Sequence, residues 1–222
     1  MTNHRRLFPD HHLDAFLFDM DGTILTSIVA AERVWARWAR KHGLNVEAFL
    51  PTLHGVRTIE TVKRQNLPVD PEAEARWITE QEMVDTDGIT EIPGAARFLA
   101  SLPDHGWAIV TSATRDLALR RIEIAGLPMP PVLVTSEDVV RGKPEPDCFL
   151  LGAERLGVAI EDCVIFEDAP AGIQAAEASG AQVVVITHTH REPMSTPHLT
   201  VPGYDALEAR EGPNETLELF QA

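Results

Sequence analysis

The stretch AFLFDMDGTILTS, residues 15–27, decides the fold of this chain. Its apolar beginning ends in two acids, Asp19 and Asp21, and the chain then turns at Gly22. A short apolar run without alternating polar residues is typical of a parallel strand, which is buried on both faces. Acids that directly follow such a strand lie at the carboxyl edge of the sheet, where open α/β sheets bind their ligands.

Four further apolar runs predict the rest of the sheet: WAIVT (107–111), PVLVT (131–135), CVIFED (163–168) and QVVVIT (182–187). Segments with helical periodicity separate these runs, and Gly126 and Gly180 stand where two of those helices should end. The alternation of buried strands and helices predicts an α/β fold with a doubly wound parallel sheet, which is a Rossmann-like core.

The interval from residue 28 to residue 91 breaks this alternation. It contains no convincing strand pattern, and in IVAAERVWARWARKHGL (28–44) apolar and aromatic residues recur at helical spacing. We expect Trp35 and Trp38 to pack inside this segment. The pattern predicts an α/β core formed by residues 1–27 and 92–222, with an inserted all-helical domain at residues 28–91 and a hinge near Pro93 and Gly94.

Composition excludes several classes of protein. The 222 residues are 44% hydrophobic, enough for a substantial core, and 19 Lys+Arg against 34 Asp+Glu give a net charge of −15. This charge opposes binding to nucleic acids and anionic membranes. With only two cysteines, no apolar run near the ~18 residues of a membrane span and no signal-peptide pattern in MTNHRRLFPDHH, we expect a soluble cytoplasmic protein, monomeric or weakly homo-oligomeric.

Polar residues at the predicted strand ends define a candidate site. Thr111 and Ser112 follow the second strand, Glu167 and Asp168 end the fourth, and Lys143 lies in the segment RGKPEPD. All should converge with Asp19 and Asp21 at one edge of the sheet. Clustered carboxylates repel one another unless a cation lies among them, and oxygen ligands favour Mg²⁺. Together with a lysine and a hydroxyl, such a cluster predicts a site for a phosphoryl group.

The two acids of the first strand suggest how that group reacts. Hydrolysis of a phosphate monoester can require an acceleration of about 10²¹-fold, or about 28 kcal/mol, so charge neutralisation alone does not suffice. A carboxylate nucleophile divides the barrier by forming an aspartyl-phosphate. We therefore predict that Asp19 attacks phosphorus and that Asp21 protonates the leaving oxygen and later activates water.

Four motifs then resemble those of the haloacid dehalogenase superfamily, in the same order: DMDGTI (19–24), VTS (110–112), GKPEPD (142–147) and FEDAPAGI (166–173). The helical segment matches the cap that this superfamily carries after its first motif. The resemblance implies a nucleophile at Asp19, a general acid/base at Asp21, and a phosphoryl site at Thr111 and Lys143. It also implies Mg²⁺ ligands at Asp19, the backbone carbonyl of Asp21 and Asp168, with Glu167 bound directly or through water.

Within the superfamily, TSIVAAERVW (26–35) and HGVRTIETV (54–62) are similar to the sugar-phosphate and polyol-phosphate phosphatases. This group includes 2-deoxyglucose-6-phosphate phosphatase and glycerol-3-phosphatase, so the resemblance implies a small phosphorylated sugar or polyol as substrate. Many relatives have Asp-Ser where this chain has Thr26 and Ser27, which bears on how the hinge of the cap is held.

Substrate selectivity should lie in the insert, because the core motifs contact only phosphate and metal. Arg57 is the best candidate for a contact with a substrate hydroxyl or second anionic group, and a surface salt bridge is the alternative. For His54 a packed or capping role is favoured, and for Glu32 and Glu60 a solvated helix face.

Three other functions share parts of this pattern. A phosphosugar mutase of the same superfamily would have the same core motifs but return the phosphoryl group to the substrate. A dehalogenase would need the nucleophile but neither the second acid nor the metal cluster. A non-enzymatic phospho-acceptor receiver domain also combines acids, threonine and lysine on a parallel sheet, but it is shorter and has no inserted cap.

Overall fold

The computed structural model of the protein describes residues 4–222. Its strands are β1 (Arg5–Leu7), β2 (Ala15–Phe18), β3 (Leu25–Thr26), β4 (Thr90–Glu91), β5 (Trp107–Val110), β6 (Val132–Val134), β7 (Cys163–Glu167), β8 (Gln182–Ile186), β9 (Leu199–Val201), β10 (Leu207–Glu211) and β11 (Leu217–Gln221). Its α-helices are α1 (Ile28–Lys41), α2 (Val46–Phe49), α3 (Thr58–Arg64), α4 (Pro71–Val84), α5 (Ala95–Ala100), α6 (Arg115–Ala125), α7 (Asp147–Leu156) and α8 (Pro170–Ser179).

A six-stranded parallel sheet forms the centre of the molecule, in the order β6-β5-β2-β7-β8-β9. The five predicted strands are all present, and β2 lies between β5 and β7. Alternate residues of β2 enter two hydrophobic clusters: Phe16 and Phe18 pack on one face, and Ala15 and Leu17 on the other. Burial on both faces explains why these strands are continuously apolar in sequence, and the predicted doubly wound α/β fold is confirmed.

The sequence patterns did not predict the sixth strand or a second sheet. Strands β1, β11 and β10 form an antiparallel sheet in that order, which joins the two ends of the described chain. Leu217 and Leu219 of β11 are buried in the same cluster as Phe16, so the last residues of the chain are part of the core. These strands are short and half exposed, which gives them a weak periodic signal.

Helices α1 to α4 form a separate packed group between β3 and β4. Val34, Trp38, Phe49, Val62 and Ile78 share a small core that does not include the residues of the sheet. Both tryptophans of α1 are buried in that core, as predicted, and the Trp38 indole N–H also donates to Glu74 of α4, with an N–O distance of 2.7 Å.

A two-stranded antiparallel ribbon connects this helical group to the sheet. Leu25 pairs with Glu91 and Thr26 with Thr90, so the chain leaves and re-enters the core through adjacent strands. The sequence pattern had predicted no strand between residues 28 and 91, and β4 lies at the end of that interval. Within residues 4–222, no helix is both long and apolar enough to cross a membrane.

Candidate active site

Lys143 lies at the centre of the candidate site and is almost completely buried. Its Nζ donates to Asp19 Oδ1 at 2.6 Å and to Glu167 Oε1 at 2.7 Å. Burial works against the charge on Lys143, but the carboxylates of Asp19 and Glu167 outweigh it, and the pKa of Lys143 is raised. Three segments that are distant in sequence therefore meet at the carboxyl edge of the sheet.

Asp19, Glu167 and Asp168 form a buried carboxylate cluster whose ligand atoms all lie within 4.8 Å of one another. Burial raises the pKa of Asp19 to about 7, with Lys143 opposing the shift and Glu167 adding to it. Burial and the charges of Glu167 and Asp19 also raise the pKa of Asp168 well above its ordinary value. Three carboxylates face one ammonium, so the cluster carries excess negative charge that a bound cation would offset.

Glu167, the last residue of β7, and Asp168, which follows it, differ in the hydrogen bonds that their carboxylate oxygens accept. Glu167 Oε1 accepts from Lys143, and Oε2 accepts from the backbone N–H groups of residues 168 and 169, at 2.7 and 2.9 Å. Asp168 has only long contacts to its carboxylate, from the Thr23 hydroxyl at 3.3 Å and the Thr189 hydroxyl at 3.4 Å. Asp168 therefore keeps acceptor capacity for a cation, whereas Glu167 holds Lys143 and the chain leading into α8.

Two glycines allow the backbone to pass close to these carboxylates. Gly22 has a φ of +98°, and a Cβ at this position would collide with the Asp168 carboxylate. A Cβ at Gly172, in the first turn of α8, would collide with the Glu167 carboxylate. A larger residue at either position would displace an acid of the site.

Asp21 is held by a different set of partners. Its Oδ1 accepts from the Ser27 hydroxyl at 2.5 Å, and its Oδ2 accepts from Arg121 Nη1 of α6 at 3.0 Å. Ser27 immediately precedes α1, so the acid after β2 is tied to the start of the helical group. Arg121 was not predicted from the sequence, although a cation at helical spacing from Leu117 and Ala118 on an otherwise buried face was a detectable signal.

A cavity of about 90 Å³ lies between the sheet edge and the helical group. The core contributes Asp19, Asp21, Thr111, Ser112 and Arg121 to its lining, and the helical group contributes Glu32, Trp35, His54 and Glu82. The cavity thus joins the predicted phosphoryl site to side chains from α1, α4 and the loop before α3.

Thr111 and Ser112 lie where the strand pattern predicted them. The Thr111 hydroxyl accepts from the backbone N–H of Ala113 at 3.1 Å. The Ser112 hydroxyl donates to the backbone carbonyl of Gly55 at 3.2 Å, which connects the end of β5 to the loop before α3. Thr111 is buried and Ser112 is half-buried, and both face the cavity.

The structure does not bring Arg57 into this cavity. Its guanidinium is paired with Glu60 and donates to the backbone carbonyls of Val139 at 3.3 Å and Val140 at 3.0 Å. It also packs on Gly142, where a Cβ would lie 2.6 Å from Arg57 Nε. Of the two alternatives for Arg57, the structure contains the salt bridge, since the loop before α3 turns this side chain toward the loop before Lys143.

His54 and Glu32 both line the cavity, with Glu32 half-buried and His54 still exposed to solvent. Desolvation lowers the pKa of His54, against the opposing effect of the Glu32 and Asp21 carboxylates, which favours the neutral imidazole. Glu82 of α4 also lines the cavity, a position that the sequence pattern did not predict.

The structure is that of an α/β protein with an acid at the end of its central parallel strand and a buried lysine beside it, and comparison with known proteins identifies the family. Residues 13–180 match the model for haloacid dehalogenase-like hydrolases. The chain belongs to this family, which confirms the resemblance seen in its four motifs. The match, together with the helical group between β3 and β4, excludes a phospho-acceptor receiver domain.

Two relatives match most of their own length to most of this chain, and both are named as enzymes that hydrolyse phosphates. The chain is 45% identical over 189 residues to hexitol phosphatase A of Escherichia coli K12, covering 83% of this chain and 86% of the relative. It is 35% identical over 190 residues to glycerol-1-phosphate phosphohydrolase 1 of Saccharomyces cerevisiae, covering 80% and 76%. Among solved structures, CbbY from Rhodobacter sphaeroides in complex with phosphate has the same fold, with a TM-score of 0.72, 22% identity, and coverage of 86% and 94%.

Proposed function

We propose that this protein is a Mg²⁺-dependent phosphatase that hydrolyses small sugar or polyol phosphates through an aspartyl-phosphate at Asp19. The observation that carries the proposal is the buried contact of Lys143 with Asp19 beside the acceptor oxygens of Asp168. The similarity to hexitol phosphatase A and to the yeast glycerol-1-phosphate enzyme supports the substrate class.

In the first half of the reaction, Lys143 and the Thr111 hydroxyl bind oxygens of the phosphoryl group and offset its charge. An Asp19 carboxylate oxygen attacks phosphorus, a new O–P bond forms, and the bond from phosphorus to the sugar or polyol oxygen breaks. The proton on Asp21 passes to that leaving oxygen, so the substrate departs as a neutral alcohol.

In the second half, the ionised Asp21 carboxylate takes a proton from a water molecule. The resulting hydroxide attacks phosphorus, the Asp19–phosphorus bond breaks, and inorganic phosphate is released. Asp19 is again a carboxylate and Asp21 is again protonated, so one water is consumed for each phosphate released. Ser27 and Arg121 keep Asp21 at the wall of the cavity that would receive the leaving alcohol.

The donor set fits Mg²⁺, because it consists only of oxygens and carries excess negative charge. Asp19, the Asp21 carbonyl and Asp168 would hold the ion, and Glu167 would reach it only through water because its carboxylate oxygens are already bonded. When bound, the ion neutralises charge on the transferring phosphoryl group.

The helical group would supply the side chains that contact the substrate beyond its phosphoryl group. We propose that residues 28–91 act as a cap over the sheet edge, connected through the β3–β4 ribbon. Four residues of this segment line the cavity opposite the residues that would bind phosphate: Glu32, Trp35, His54 and Glu82.

The test is a phosphate-release assay on hexitol phosphates, hexose phosphates and glycerol phosphate, each with Mg²⁺ and with chelator, and with products identified by ³¹P NMR. The proposal predicts Mg²⁺-dependent release of inorganic phosphate from at least one of them. Formation of an isomeric sugar phosphate without release would make the protein a mutase, and release that is unchanged by chelator would contradict the metal site.

A further inference from the structure

Arg121 is incompletely bonded for a buried charged group, and its contact with the buried Glu82 is long. Only 6% of the Arg121 surface and 5% of the Glu82 surface are exposed. Arg121 Nη2 lies 3.5 Å from Glu82 Oε2, which is longer than a good charged hydrogen bond. Among the described residues, Arg121 Nε has no hydrogen-bond partner at all.

The two side chains come from different parts of the molecule. Glu82 lies on α4 of the helical group and Arg121 on α6 of the core, and both line the cavity that also contains Asp19. A buried ion pair is costly unless further hydrogen bonds complete it, and an unpartnered buried N–H adds to that cost. Burial raises the pKa of Glu82, with Arg121 opposing the shift, Asp21 adding to it and a hydrogen bond from Trp35 also opposing it.

We propose that Glu82 and Arg121 bind hydroxyl groups of the substrate beyond its phosphoryl group and thereby select neutral polyhydroxylated phosphate monoesters. The inference rests on the proposed phosphatase function and names the residues that set its selectivity.

The chemistry of the pair fits hydroxyl groups. A hydroxyl both donates and accepts, so it can give its proton to the Glu82 carboxylate while accepting from the guanidinium of Arg121. An aryl or alkyl group at the same place would leave both charged side chains without new partners. Discrimination of this kind is large, because a site built to bond a hydroxyl rejects an analogue that lacks it.

The charges around the pair exclude a second anionic group. Glu32 and Glu82 line this part of the cavity against Arg121, the one lysine or arginine among its described lining residues, and the pKa of His54 is lowered. A second phosphate or a carboxylate would meet a wall of net negative charge. The pair therefore favours a monophosphate with uncharged hydroxyls over a bisphosphate.

The experiment compares the protein with its Glu82→Gln variant, which keeps the side-chain shape and removes the charge. Glu80→Gln, an exposed change on the same helix, is the matched control. For each protein, kcat/KM is measured on a hexitol 6-phosphate, on its analogues lacking one hydroxyl, and on p-nitrophenyl phosphate, all with Mg²⁺. A melting curve of each protein accompanies the assays.

We expect Glu82→Gln to lose about 10- to 150-fold in kcat/KM on the hexitol phosphate, which is the range for a lost charged hydrogen bond, and less than about 3-fold on p-nitrophenyl phosphate. Removing one particular substrate hydroxyl should cost the wild-type protein a similar factor and should cost the variant almost nothing. This comparison holds even if the variant is less stable, since both substrates are then measured on the same folded fraction.

Equal losses on both substrates, or a hydroxyl deletion that affects wild type and variant alike, would overturn the assignment of Glu82 while leaving the phosphatase intact. A wild-type protein that releases phosphate from no sugar or polyol phosphate would overturn the proposed function, and the selectivity inference with it.

Discussion

Lys143 and Arg121 are the two buried cationic side chains among residues 4–222, and their surroundings differ. Lys143 donates to two carboxylates at 2.6 and 2.7 Å and is enclosed by the sheet edge. Arg121 has one hydrogen bond to Asp21 at 3.0 Å, one long contact to Glu82, and an N–H without a partner in the described chain. The first network is complete before substrate arrives, and the second is not.

Under the proposed function, this difference gives the two networks different tasks. A preorganised ammonium and carboxylate suit a phosphoryl group, which is the same in every candidate substrate, because no reorganisation is needed when charge develops. An incompletely bonded pair suits the variable part of the substrate, which can supply the missing hydrogen bonds. Variants of the sheet edge should therefore affect all substrates alike, and variants of the cavity wall should affect them unequally.

The broadest effect, on stability and on the turnover of every substrate, is expected for Lys143→Met, which removes the central cation. Asp19 and Glu167 then lie buried without their partner, so unfolding free energy should fall by about 3–5 kcal/mol. At the same time kcat/KM should fall at least about 100-fold on hexitol phosphate and p-nitrophenyl phosphate alike. Urea denaturation and steady-state kinetics measure the two quantities.

Lys63→Met is the control, because the pair of Lys63 with Glu72 is exposed and exposed pairs contribute about 1 kcal/mol or less. A Lys143→Met protein with wild-type kcat/KM on either substrate would contradict the different roles assigned to the Lys143 and Arg121 networks.

A leaving-group-dependent effect is expected for Asp21→Ala. Loss of a general acid typically costs about 10²- to 10⁴-fold, and the loss should reach this range on hexitol phosphate because an alcohol leaves poorly without a proton. It should be smaller on p-nitrophenyl phosphate, whose leaving group needs little protonation. The ratio of the two kcat/KM values is the measurement, and an unchanged ratio would assign Asp21 a structural role.

The smallest effect is expected for Arg57→Ala. Arg57 bonds Glu60 and two backbone carbonyls outside the cavity, so its removal should cost about 1 kcal/mol of stability and change kcat/KM less than about 3-fold on any substrate. Thermal unfolding and the same two substrates provide the comparison. A loss confined to hexitol phosphate would mean that Arg57 reaches the substrate after all, and would move part of the selectivity away from Glu82.

The difference between the sheet edge and the cavity wall also explains which site residues could be predicted from the sequence. Asp19, Thr111, Glu167 and Asp168 were predictable because each follows a parallel strand, and parallel strands end at one edge of a sheet. Lys143 was found through its motif, and the β-strand pattern was strong because both faces of the sheet are buried.

The cavity wall could not be predicted in this way. Whether Glu82 meets Arg121 depends on how α4 docks against α6, and local periodicity contains no information about that contact. Arg57 illustrates the same gap: its position before α3 is clear in the sequence, but the direction of its side chain is set by the loop that contains Val139 and Val140. Strands β9 to β11 were missed because short, half-exposed strands leave little pattern.

The role of Asp19 is measured by phosphate release from a hexitol phosphate by wild-type protein and by Asp19→Asn, with Mg²⁺ present and with Asp10→Asn, an exposed change, as the control. An amide of nearly the same shape cannot attack phosphorus, so we expect Mg²⁺-dependent release by wild type and Asp10→Asn, and a loss of at least about 1,000-fold for a folded Asp19→Asn protein. Phosphate release by Asp19→Asn at a rate near that of wild type would mean that Asp19 is not the nucleophile.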